Sequence, residues 1–366
     1  MTNNQSSLLT NASHTIAQMA DCLQGLQVID LTRNLPGPFA TRLLADLGAD
    51  IIKIEPKNGD PARAFGDLFN ALNHGKTIKK YDFRDPHDIE SIKSLLKDAD
   101  VMLDSFRPGV LTGMGLDAKT LHTINPRLVI ISITGYGLGI GDGFNHAWAE
   151  KAGHDINFMA MSGVLDQLKT ASGEQAMPNI QFADLAGGSD TAVIALLAAV
   201  FAAKRTGKGR HVAVSMTHSL YQHMIMPKAT GRLVHQLSGQ NPAPQNDFLG
   251  GLLPCYRLYK TSDGRYMAVG SLELKFWQGL CEVLAHFELK NTHWQLGVLP
   301  HSSESKAAAE MMKATFASQP LCHWQEVFAL TDVCVTPVLT LAEAKVHPLF
   351  AHQDEHDATT GWQLIG

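Results

Sequence analysis

The sequence predicts an α/β protein, a doubly wound Rossmann-like sheet followed by a smaller α+β domain. Short apolar runs alternate with amphipathic stretches through the first half, and turn residues punctuate the junctions. After a Gly/Pro/Asn/Gln-rich piece, the pattern changes to a hairpin and helices. With 366 residues, 45% of them hydrophobic, the chain is long enough for two or three domains and a large core.

LQVIDL (Leu26–Leu31) reads as a buried strand, Pro38–Leu47 as a helix that Gly48 should end, and IIKIEP (Ile51–Pro56) as a second strand. Pro86–Leu96 reads as a helix, Val101–Leu103 as a short strand, Ala118–Ile124 as a helix and LVIISITG (Leu128–Gly135) as a buried strand. No GxGxxG follows the first strand, which argues against a nicotinamide dinucleotide. HVAVSM (His211–Met216) reads as a further strand, and Leu237–Pro254 as a linker or loop. CYRLYKTSDGRYMAVGS then reads as a hairpin turned at Ser262-Asp263-Gly264, followed by helices from Leu274 to about Gln319. CVTPVLTLAEA reads as strand, turn and helix.

Net charge is −5 with both signs interspersed, which disfavours a nucleic-acid partner. Five cysteines without CxxC spacing fit a reducing cytoplasm. The longest apolar run, Ala192–Ala203, is short for a bilayer, and the N-terminus lacks the charged start and apolar middle of a signal peptide. A soluble, cytoplasmic protein with no membrane partner is expected.

KAGHDINFMAMSGVL and NIQFADLAGGSD place His154 and Asp184 beside glycines, just ahead of apolar helical segments. An imidazole and a carboxylate so placed suit a pair of proton carriers, one taking a proton from a carbon acid and the other returning one. The amides of Asp184–Gly188 are expected to open a helix and to meet the enolate oxygen of a substrate, the glycines allowing its close approach.

GLQVIDLTRNLPGPFATRLLADLGADIIKIEP, GDPAR, LNHGKT, SFRPGVLTGMGL, NPRLVIISITGYG, RTGKGRHVAVSM and CVTPVLTLAEA resemble the class III CoA-transferase (CaiB/BaiF) family from about Leu23 to Pro348. GHDINF and ADLAGG resemble its α-methylacyl-CoA racemase branch. The resemblance implies an acyl-CoA thioester substrate carrying coenzyme A, no other cofactor, no metal, and an interlocked homodimer. It implies an extension at 1–22, a large Rossmann-like CoA-binding domain at 23–225, a linker at 226–253 and a small domain at 254–330. Residues 331–366 would return to the large domain.

In the transferases the residue matching Asp184 is a covalent nucleophile; in the racemases it pairs with the His matching His154. Transferases commonly carry Tyr where this chain has His154. Glu273 falls where racemases place a Glu that orients the imidazole, although Leu274-Lys275 replaces the usual Pro-Gln. The resemblance thus implies an α-methylacyl-CoA racemase. The alternatives are a CoA transferase using Asp184 as nucleophile and a catalytically silent acyl-CoA-binding relative. For CoA itself, Arg107 matches a position that contacts the nucleotide end. Lys57 stands near an Arg of many relatives, and Lys53 and Lys76 are further cationic candidates. Gly37, in Pro36-Gly37-Pro38, would let the chain pass close to the ligand. Thr217-His218, Gly139-Ile140-Gly141 and the end at Gly366 depart from the family pattern. The Met residues at 159, 161, 216, 224 and 226 suggest an adaptable apolar surface for an acyl chain.

Overall fold

A computed structural model describes residues 19–139, 146–170, 172–239, 243–244 and 247–350. Among these the chain divides into two compact units, one from 19–164 and 178–224, the other from 165–177 and 225–350.

The first unit is built on six parallel strands: β1 (Gln27–Leu31), β2 (Asp50–Pro56), β3 (Thr77–Tyr81), β4 (Val101–Asp104), β5 (Val129–Thr134) and β6 (His211–Ser215). Their spatial order is β3-β2-β1-β4-β5-β6. That is the doubly wound arrangement, with the order reversing between β1 and β4. β4 and β5 are buried along their whole length, as expected of inner strands covered on both faces. Helices α1 (Pro36–Asp46), α2 (Pro86–Asp98) and α3 (Ala118–Ile124) connect these strands. Asp85 and Asp117 accept backbone N–H bonds at the starts of α2 and α3. Gly48 ends α1 at φ +92°, where a Cβ would lie 1.8 Å from the Ala20 carbonyl, so no larger residue fits.

α4 (Asp155–Ser162) follows β5. A π-helical segment, Ala183–Asp190, then runs into α5 (Thr191–Thr206), making one helix of 24 residues. By length and composition it could cross a bilayer, whereas the sequence marks only Ala192–Ala203. Ala192, Leu196, Ala199 and Ala203 on α5 are buried, and the helix packs on β5 and β6. α6 (Met216–His223) completes the unit.

The edge strand β3 is absent from the sequence reading because Thr77–Tyr81 carries two lysines and exposes both Thr77 and Ile78. Edge strands need neither a continuous apolar run nor two buried faces.

The second unit contains α7 (Ile225–Ser238), the antiparallel hairpin β7 (Tyr256–Lys260) and β8 (Tyr266–Gly270), and α8 (Leu274–Val283). α9 (Ser303–Ala317), α10 (Leu321–Phe328) and β9 (Val335–Pro337) follow. Trp277, Tyr259, Met312 and Phe316 form its center, all under 2% exposed. Two boundaries differ from expectation. α7 occupies much of the expected linker at 226–253. β9 pairs antiparallel with β8 inside this unit, because a two-stranded hairpin gains ladder bonds from a third strand. The expected extension at 1–22 is described only from residue 19, and the end of the expected C-terminal return, 351–366, lies outside the described residues.

Candidate active site

Loops at the carboxyl ends of β1, β4 and β5 and the start of α6 enclose a cavity of about 560 Å³ in the first unit, the position that doubly wound sheets offer to ligands. Arg33, Ser105, Arg107, Tyr136, Lys151, His154, Phe158, Asp184 and Met216 are among the residues lining it. His154 and Asp184, 30 positions apart in sequence, therefore face one space.

His154 is the N-cap of α4, in extended backbone at φ −125° and ψ 176°. Its N–H donates to Asn157 Oδ1 at 3.0 Å, and its carbonyl accepts from the Asn157 N–H at 2.8 Å. These reciprocal bonds fix the entry to the helix and hold the exposed imidazole at the cavity. Gly135 and Gly153 flank the wall for a steric reason. A Cβ at either would lie 2.2 or 2.6 Å from the Phe158 ring, which packs edge-on against Tyr136.

Asp184 sits in the first turn of the π-helical segment. Two adjacent glycines weaken ordinary α-helix here, and hydroxyls reach back five residues to carbonyls of the segment. Ser189 Oγ donates to Asp184 O at 3.0 Å and Thr191 Oγ1 to Ala186 O at 3.0 Å. Burial, with the nearby Asp155 charge adding to it, pushes the Asp184 carboxyl up to about 7. A helix start favours the ionised form, so desolvation and like charge outweigh it here.

The expected enolate site at Asp184–Gly188 needs correction. Asp155 Oδ1 accepts from the Ala183 and Asp184 N–H groups at 2.7 and 3.0 Å, and the Leu185 N–H donates to Gln181 O at 3.0 Å. Gly187 and Gly188 are buried; a Cβ on them would lie 2.8 Å from Met216 O and 3.0 Å from Pro36 Cβ. Their small size admits α6 and the start of α1.

Of the other expected site residues, Arg107 is exposed and lines the cavity. Glu273 is the N-cap of α8 in the second unit. Lys57 is exposed outside the cavity lining and pairs with Asp82 at 3.4 Å. Lys53 and Lys76 correct the expectation that they meet CoA. Lys53 Nζ is fully buried, 3.0 Å from Asp60 and donating to Thr32 O at 2.9 Å. Lys76 Nζ is equally buried among Asp30, Thr41, Asn73 and the Pro38 carbonyl. Burial pushes the Asp30 carboxyl up, but Lys53, Lys76 and two hydroxyls outweigh it and hold Asp30 below the usual range. Gly37 is buried in α1, where a Cβ would lie 2.1 Å from Thr32, so its close approach is to the protein rather than to a ligand.

Asp155, Tyr136, Phe158 and Lys151 were not singled out as site residues. Asp155 carried a signal, a second carboxylate directly after His154. Of the departures, Ile140 and Gly141 lie outside the described residues. Of the methionines, Met216 lines the cavity, Met159 is buried, and Met161 and Met226 are exposed.

The chain is 32% identical over 330 residues to human alpha-methylacyl-CoA racemase, covering 89% of this chain and 80% of that one. It is 30% identical over 333 residues to acetyl-CoA:oxalate CoA-transferase of Acetobacter aceti, covering 87% and 81%. A solved CaiB/BaiF family protein from Brucella suis superposes with a TM-score of 0.72 at 28% identity, covering 90% of this chain and 87% of that one. Residues 23–359 match CoA-transferase family III, and the chain belongs to that family.

Proposed function

We infer that this enzyme interconverts the epimers of a 2-methylacyl-CoA thioester. His154 and Asp184 facing one cavity carry the reading. The base on one face removes the α-proton, and its electron pair moves into the thioester as an enolate. The group on the other face delivers a proton to the same carbon, so the atoms balance without a further reactant. A carboxyl poised near 7 can serve in either protonation state, as two-way proton exchange requires. Arg107, with Arg33 and Lys151, supplies cationic groups at the cavity for the phosphates of CoA. Glu273 as the group that orients His154, and the interlocked homodimer, belong to the same reading. Exposed Ile194 and Phe201 on α5 support a partner subunit there. The five free cysteines favour a reducing cytoplasm.

CoA transfer is the second reading, favoured by the similarity to CoA-transferases. Asp184 would attack the thioester carbonyl and release CoA thiolate as an acyl anhydride forms. Proton NMR of a 2-methylacyl-CoA in deuterated water, with a free carboxylate acceptor in a parallel sample, separates the two. Loss of the α-proton signal, abolished by His154→Ala, is expected. CoA moving to the acceptor without exchange would overturn the racemase reading.

A further inference from the structure

We propose that Asp155 is a positioning residue for this reaction, its carboxylate clamping the first turn of the helix that carries Asp184 and so fixing that side chain in the cavity wall. The proposal rests on the acid/base reading above. Asp155 Oδ1 accepts from the N–H of Ala183 at 2.7 Å and from the N–H of Asp184 itself at 3.0 Å, joining segments 28 and 29 residues apart. Asp155 is half-buried and is not among the residues lining the cavity, so it acts through its neighbours. Its neighbour His154 does line the cavity. The dipeptide His154-Asp155 thus presents one proton carrier and anchors the other, coupling their placement through α4.

A carboxylate taken out of water is costly unless donors converge on it. Burial pushes Asp155 up, and the Asp184 and Ala183 amides pull it back. The same oxygen engages backbone donors that would otherwise be open to a ligand at the helix start. Several titratable or charged groups lie on the elements packed against this segment: His154 and Asp155 on α4, His218 and His223 on α6, Arg42 and Asp46 on α1, and His211 on β6. Asp190 lies on the segment itself. Of these, Asp155 is the charge that acts on the Asp184 carboxyl, while His223 acts on Asp190.

Asp155→Asn keeps an oxygen able to accept both N–H bonds and removes the charge; Asp155→Ala removes both. The alanine variant should lose roughly 10- to 100-fold in kcat with little change in KM. The asparagine variant should retain most of kcat. Its Asp184 carboxyl, followed by carbon-13 NMR, should titrate at lower pH than in the parent, because a like charge has gone. The pH–rate limb governed by Asp184 should move with it. An alanine variant with parental kcat would overturn the proposal, and so would an asparagine variant as impaired as alanine. Should the alanine variant fail to fold, the asparagine variant decides alone: a kcat lowered roughly 10-fold or more although both N–H bonds can still form would refute the positioning role. The carboxyl titration needs no turnover, so it reads how near the Asp155 charge stands to Asp184 even if the parent proves to transfer CoA, which α-proton exchange in the parent decides separately.

Discussion

Replacing Asp184 by Asn should destroy activity and stabilise the protein above neutral pH. The ordinary carboxyl value of 3.8 and the folded value of about 7 span roughly three pH units, at about 1.4 kcal/mol each, giving an upper figure of about 4 kcal/mol. The sign follows from linkage. A carboxyl raised on folding binds more protons in the native than in the unfolded state between these values, so native stability falls as pH rises through that window. Asn cannot ionise and escapes the penalty. The difference between variant and parent should therefore be small near pH 4, grow through pH 7 and level off above it. Calorimetry or denaturant unfolding at several pH values, followed through a probe in the first unit, measures it. A pH-independent difference would refute the reasoning, because it would mean that ionisation of Asp184 carries no folding cost. Adding Asp155→Asn should shrink the pH-dependent part, since some of the penalty is repulsion between the two carboxylates.

Lys53→Ala leaves Asp60 buried without its ion-pair partner and should cost about 3–5 kcal/mol in denaturant unfolding, with loss of the solvent-free Asp30 network. Unchanged stability would show that Asp60 finds another partner. Arg107→Ala should raise KM for CoA esters with an unchanged melting temperature, because its side chain is exposed at the cavity; an unchanged KM would remove its binding role.

The parallel sheet was legible because fully buried strands such as Val129–Thr134 leave an apolar run that local pattern detects, and because helix starts such as Ala118 follow a capping Asp. His154 and Asp184 were legible as chemistry-bearing residues beside glycines. β3 was not, since an edge strand with lysines lacks the inner-strand signature. α7 was read in part as linker because Pro227 and Gly231, residues that usually punctuate connectors, lie within it.

By itself the sequence determined the α/β alternation and the chemistry available, since period and residue type are local properties written along the chain. Only the tertiary structure decided where each charge lies. It buried Lys53 and Lys76 among carboxylates and hydroxyls instead of presenting them to a ligand. It buried Asp184 and brought the Asp155 carboxylate onto the amides of residues 183 and 184, and that burial, with the Asp155 charge adding to it, raised the Asp184 carboxyl. Burial and long-range contact set a group's desolvation and its neighbours, and neither quantity is fixed by its position in the chain.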